Sequence, residues 1–130
     1  MTKKKRNALD MPRSIYAIRC KANGKMYIGS AVDVKQRWLN HLSSLRTGEK
    51  GRRTSEQNKN WQADYDKYGV SGFEIYILEE NIKYSDSYSR ESYYIDYYDV
   101  CNPEKGYNAT GSKAWHKANI GVIKGLPPKK

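Results

Sequence analysis

The chain has 130 residues, enough for one ordinary domain around a single core and too few for a catalytic domain joined to a recognition domain of normal size. Its 24 Lys and Arg against 14 Asp and Glu give a net charge of +10, which favours an anionic polymer over a small neutral solute as the partner. No stretch approaches the roughly 18 apolar residues of a membrane-spanning helix, and no apolar run follows Lys3, Lys4, Lys5 and Arg6 as a secretory signal requires, so a soluble cytoplasmic protein is expected.

Residues 1 to 13 hold the basic cluster and Pro12 without any hydrophobic period, so a flexible basic arm is expected there. Ile15 to Cys20 and Lys25 to Ser30 are rich in strand formers and flank Lys21-Ala22-Asn23-Gly24, whose Asn-Gly pair signals a hairpin. With all four residues in the loop, Ile18 pairs with Tyr27 and Tyr16 with Gly29, which sets Tyr16 and Tyr27 on one face as diagonal neighbours; a tight two-residue turn keeps the same face but separates them further. Asp33 and Gln36 have capping-box spacing, and Val34, Trp38, Leu42 and Leu45 follow at helical spacing, so a helix is expected from Val34 to Arg46. Arg37 and His41, four apart on it, flank the apolar stripe.

Residues 47 to 57 are polar and contain glycine, which suits a surface loop where Arg52 and Arg53 either hold phosphate or are simply solvated. Trp61, Tyr65 and Tyr68 ahead of Gly69 predict a second helix of roughly three turns. Phe73, Ile75 and Ile77 alternate with Glu74, Tyr76 and Leu78 and predict a third strand whose odd face is the better buried. Ser85-Asp86 can cap a third helix, on which Tyr88, Glu91, Ile95 and Tyr98 share a stripe. An ionised Glu91 on a core-facing stripe needs a cation, because a buried unpaired charge costs on the order of several kcal/mol. Cys20 and Cys101 lack zinc-site spacing and read as reduced, packed thiols. Twelve Tyr beside a single Phe suggest that some phenols face a polar site. Residues 109 to 130, with Trp115, His116, Pro127 and Pro128, show no period and read as a basic tail or the start of a linker.

Ser14-Ile15-Tyr16 and Tyr27-Ile28-Gly29, then Lys35-Gln36-Arg37-Trp38, His41, Glu91 and Gly106-Tyr107-Asn108, resemble in kind and order the motifs of the GIY-YIG nucleases, with Ser14 in place of the first glycine. The likeness spans about Ser14 to Asn108 and is nearest to the catalytic domains of phage and intron homing endonucleases. It implies an α/β (α+β) domain, a small three-stranded antiparallel sheet flanked by helices, that cuts DNA with one bound Mg²⁺, for which Mn²⁺ can substitute. It further implies that Glu91 holds the metal, Arg37 the scissile phosphate, and Tyr16 or Tyr27 the attacking water, with Tyr27 favoured as the base.

Hydrolysis of a phosphodiester needs a nucleophilic water, charge stabilisation on the phosphoryl group and help for the leaving oxygen, and these residues match those needs. The planar fork of Arg37 suits two phosphate oxygens, and a phenol serves as base only where cations such as Arg37, Lys35 and the metal lower its pKa. His41 either shares proton transfer or is a plain helix-surface histidine, and Asn108 either braces the site through its amide or is a turn residue. Gly29 either lets backbone and DNA approach or marks a strand bend. Duplex DNA is the expected partner of a monomer that forms at most a transient dimer on it. The rival readings are a non-catalytic nucleic-acid-binding module on the same scaffold and an enzyme or assembly module directed at RNA.

Overall fold

The computed structural model describes residues 11 to 109; the basic cluster at the N-terminus and Trp115, His116 and the rest of the tail lie outside them. Strands β1 (Arg13–Cys20) and β2 (Met26–Ala31) form the expected hairpin with Tyr16 opposite Gly29 and Ile18 opposite Tyr27. The four-residue loop closes with Cys20 N–H donating to the Lys25 carbonyl at 2.8 Å, and Gly24 takes the left-handed conformation that the turn demands. β1 begins at Arg13, so the last residue of the segment read as an arm belongs to the sheet.

Helix α1 (Val34–Arg46) has the expected bounds because the Asp33 side chain accepts the Gln36 N–H at 3.0 Å. The box is half formed, since the Gln36 side chain turns to Asn40 instead. The segment read as a loop folds into a 3₁₀ turn (Lys50–Arg52) and then α2 (Glu56–Tyr68), capped by the Ser55 hydroxyl and closed at Gly69 with φ 70°. A second 3₁₀ turn (Val70–Gly72) leads into β3 (Phe73–Ile82), and α3 (Tyr84–Tyr98) follows.

The sheet order is β2-β1-β3, antiparallel throughout, and the central β1 is buried on both faces. Its alternation sorts the core into two layers. Tyr16, Ile18 and Cys20 pack with Leu45 of α1, Trp61 of α2 and Tyr107, while Ile15 and Ala17 pack with Ile28, Ile82, Val100 and Tyr94 and Ile95 of α3. Cys20 is buried and Cys101 half-buried, and both carry reduced thiols.

Two expectations need correction. The odd face of β3 is buried at Phe73 and half-buried at Ile75, but Ile77 is exposed. Irregularities in the β1 pairing, where Tyr16 faces Ile77 but Ile15 faces Glu79, displace the alternation, so the next fully buried position is Ile82. α3 starts earlier than Ser85-Asp86 predicts, with Lys83 at the cap position and no side-chain cap bond. Its buried residues are Ser87, Ser92, Tyr94 and Ile95; Tyr88 is exposed, and Glu91 and Tyr98 are half-buried. Among the described residues no helix is long and apolar enough to cross a membrane.

Candidate active site

β2 is an edge strand of the sheet. Its open side is closed by residues 105 to 108: Met26 N–H donates to the Lys105 carbonyl at 3.2 Å and Tyr107 N–H to the Met26 carbonyl at 2.9 Å. Asn108 completes the edge with its side chain. Its Oδ1 accepts the Ile28 N–H and its Nδ2 donates to the Ile28 carbonyl, both at 2.9 Å, so one carboxamide satisfies the groups that a further strand would otherwise pair. Gly106 is dictated by packing, since a Cβ there would lie 2.4 Å from Val100. Asn108 therefore braces the edge of β2 through its carboxamide.

A polar cavity of about 310 Å³ opens at this edge, and Tyr27, Arg37, His41, Lys50, Arg53, Glu91 and Asn108 are among the residues that line it. Glu91 arrives from α3 and Arg37 and His41 from α1, so residues up to 54 positions apart in the chain line one cavity. Ser30 Oγ donates to Glu91 Oε1 at 2.9 Å and fixes the carboxylate against β2. Burial raises the Glu91 carboxyl above its ordinary range, against the Ser30 hydrogen bond and the charges of Arg37 and Arg13.

The two motif tyrosines are not equivalent. Their ring centroids are 6.3 Å apart, yet Tyr27 lines the cavity while Tyr16 is 1% exposed and lies behind it. Tyr16 Oη shares a 3.0 Å hydrogen bond with His41 Nε2. Burial, followed by Lys50 and Arg37, lowers His41 to about 3, so the ring is neutral at physiological pH; the tautomer sets the direction of the bond, Tyr16 donating where Nδ1 carries the ring proton and accepting where Nε2 does. The His41 side chain is 5% exposed, packed at 4.8 Å from Tyr27 and 5.0 Å from Trp61, which rules out a plain surface histidine. Burial is also the largest influence on both phenols and raises both; Tyr27 adds to it at Tyr16, Glu91 adds to it at Tyr27, and Arg37 opposes it at each. Cationic neighbours thus moderate the Tyr27 phenol without bringing it below its ordinary value.

Gly29 has a packing reason beside the two expected. A Cβ there would lie 2.6 Å from Tyr16 Oη, so the bare glycine opens the space in which that phenol reaches His41. Of the cations singled out in the sequence, Arg37 and Arg53 line the cavity, and Arg53 also pairs with Glu49 at 2.6 Å. Arg52 is exposed and donates back to the Thr47 carbonyl at 3.0 Å, and Lys35 is exposed on α1; neither lines the cavity.

Two participants have no local sequence signal. Ser30 acts on a residue 61 positions away, and Lys50 sits in a polar run that reads as solvated, yet it is 4% exposed with its ammonium 4.4 Å from the centre of the Trp61 ring. Among the described residues no group of three or more His, Cys, Asp and Glu could hold a metal by itself. Glu91 nevertheless suits a hard divalent cation: it is one oxygen donor, pressed toward neutrality by burial, on a polar cavity with room for water. Mg²⁺ characteristically takes one or two carboxylates and keeps several waters.

The family model for the GIY-YIG catalytic domain matches residues 12–108. Over 100 residues the chain is 36% identical to intron-associated endonuclease 1 of Enterobacteria phage T4, a match that covers 75% of this chain and 37% of that protein. The chain therefore spans little more than a third of that relative's length. A mutant form of the catalytic domain of the intron endonuclease I-TevI superposes with a TM-score of 0.62 at 32% identity, covering 78% of this chain and 96% of that one. A second structure of the catalytic domain of the homing endonuclease I-TevI gives 0.59 at 32% identity, covering 75% and 98%. The three-stranded antiparallel sheet with its helices is thus the fold of these domains, and the chain belongs to the GIY-YIG catalytic domain family.

Proposed function

We propose that this chain is a metal-dependent endonuclease that hydrolyses phosphodiester bonds in duplex DNA. The observation that carries the reading is the convergence of Tyr27, Arg37, His41 and Glu91 on one cavity. Glu91 would hold Mg²⁺, or Mn²⁺ in its place, and the bound ion would stabilise the leaving 3′ oxygen and the charge on the phosphoryl group.

The remaining steps belong to the protein. Arg37, exposed on α1, binds the non-bridging oxygens of the scissile phosphate through its guanidinium. Tyr27 orients the attacking water at the cavity wall; it takes the water's proton once its own phenol has ionised, which Arg37 favours and Glu91 opposes. The water oxygen bonds to phosphorus as the bond to the 3′ oxygen breaks. Tyr16 and His41 hold the wall behind Tyr27, and Asn108 keeps β2 in register with it. Lys35, Arg52 and Arg53 add sequence-independent, salt-sensitive attraction to the DNA backbone. The chain acts as a monomer, and with one metal per chain a double-strand break takes two binding events or a transient dimer on DNA.

The test is cleavage of supercoiled plasmid with Mg²⁺, with EDTA, and by Glu91→Ala. Nicking or linearisation that needs both the metal and Glu91 is expected. DNA binding without cleavage by the wild-type chain would instead support a non-catalytic binding module, and cleavage of RNA in preference to duplex DNA would change the substrate.

A further inference from the structure

Three cations, Arg37, Lys50 and Arg53, face the cavity against a single carboxylate, Glu91. Arg37 and Arg53 are exposed. Lys50 is not, and it differs from them in how it is held. Its 3₁₀ turn is pressed onto α2, where a Cβ on Gly51 would lie 2.8 Å from Gln62 Cγ, and Gln62 Nε2 donates across to the Leu45 carbonyl at 2.8 Å. The side chain crosses to Trp61, whose ring stacks on Tyr27 at 4.8 Å. The ammonium is thus fixed beside the aromatic wall that carries Tyr27.

A buried ammonium is costly unless an anion or several acceptors compensate it. Among the described residues no carboxylate forms an ion pair with Lys50: Glu49 attracts it but is itself held by Arg53 at 2.6 Å, and Arg53 and Arg37 both repel the ammonium. Burial, followed by the repulsion of Arg53, lowers Lys50 to about 8, which leaves it mainly protonated at neutral pH. As a plug over Trp61 a methionine would do as well and carry no charge to desolvate. What the position offers that methionine lacks is a preorganised donor facing a cavity with an excess of positive charge, and a phosphate is the group that fits it.

We propose that Lys50 is a further catalytic residue, whose ammonium donates to a non-bridging oxygen of the phosphate bound by Arg37; the proposal rests on the nuclease reading above. A donor fixed before reaction needs no reorganisation as charge builds on the phosphoryl oxygens, and loss of one such donor typically lowers the rate by about 10²–10³-fold.

The experiment compares wild type, Lys50→Met and Lys59→Met in plasmid cleavage at saturating enzyme with Mg²⁺, together with thermal melting of each. Lys59 is exposed on α2, and its replacement removes the same charge from the same region. The expected result is a fall of about a hundredfold or more for Lys50→Met with a melting temperature no lower than wild type, and a rate within about threefold of wild type for Lys59→Met. A wild-type chain that cuts, with a folded Lys50→Met that cuts equally well, overturns this proposal and leaves the nuclease reading standing; a wild-type chain that does not cut overturns both. Should methionine destabilise the fold, the Lys50 side-chain resonances of wild type decide the matter in an NMR titration with duplex DNA in EDTA. A shift of the ε-methylene signal supports the contact, and an unmoved signal at saturation overturns it.

Discussion

The two faces of the sheet are built for different work. Toward α3 the core is largely aliphatic, with Ile15, Ala17, Ile28, Ile82, Ile95 and Val100. Toward α1 and α2 it is an aromatic stack with polar tips, in which Tyr16, Tyr27, His41, Trp61 and Tyr107 touch in sequence. The first face contributes one charged group to the cavity, Glu91, held by a serine on β2. The second contributes the phenol, imidazole and cations. The edge of β2 is where these contributions meet, and the polarity is uneven: the aromatic layer also buries the Trp61 Nε1 and Gln62 Oε1 without a hydrogen-bond partner.

The sharpest way to break the comparison is to remove an exposed cation of the aromatic side. Arg37→Met should lower single-turnover cleavage by about 10²–10³-fold, the usual scale for one lost charge-stabilising contact. Because Arg37 is exposed, its thermal melting should stay close to wild type. A variant that cuts normally would move phosphate binding elsewhere on the wall.

Asn108→Ala tests the seam between the faces. It leaves the buried Ile28 N–H and carbonyl without partners, at about 1–3 kcal/mol for each orphaned group. Urea denaturation should therefore show a loss of about 2–6 kcal/mol, accompanied by a cleavage defect that scales with the loosened β2. A loss below about 0.5 kcal/mol would mean that water takes over both bonds.

These predictions differ in how far the sequence foretold them. Asn23-Gly24 marked the hairpin but left its loop open between two residues and four, a choice the pairing of Tyr16 with Gly29 makes, whereas Asp33 with Gln36 specified where α1 begins within a few residues of backbone. The motif residues Tyr27, Arg37, His41, Glu91 and Asn108 do converge on one cavity. What could not be read locally depends on distant pairing. The irregularities of β3 exist only against β1, the inequality of Tyr16 and Tyr27 only once Gly29 lies opposite Tyr16, and the burial of Lys50 only once Trp61 lies beneath it. Lys50, followed so closely by Arg52 and Arg53, looks like one of a solvated run until the 3₁₀ turn folds it inward.

Gly29→Ala sharpens the inequality of the two phenols. The new methyl would meet Tyr16 Oη at 2.6 Å and Cζ at 2.8 Å, so the ring must shift and the His41 contact must lengthen. Overpacking of this kind costs about 1–3 kcal/mol. Tyr16→Phe in the same chain removes the nearest atom and should recover part of that loss, giving a coupling energy of at least about 0.5 kcal/mol in a double-mutant cycle. Additive effects would mean that Gly29 is required for strand geometry alone.

The smallest effect concerns pH. His41 is lowered to about 3 in the folded chain against 6.5 for the free side chain, so between those values the unfolded chain binds the proton and the folded chain does not. Stability then rises with pH through this window and is lost on acidification, with a limiting slope of about 1.4 kcal/mol per pH unit. Glu91 acts in the opposite sense, since its folded pKa is raised and the folded chain holds its proton longer. The two partly cancel in wild type. His41→Gln removes only the first contribution, so its stability should fall less steeply between pH 6.5 and 4.5 than that of wild type in urea titrations. Equal slopes would mean that His41 takes up its proton without leaving the Tyr16 contact, and the aromatic side would then be as tolerant of charge as the cavity it faces.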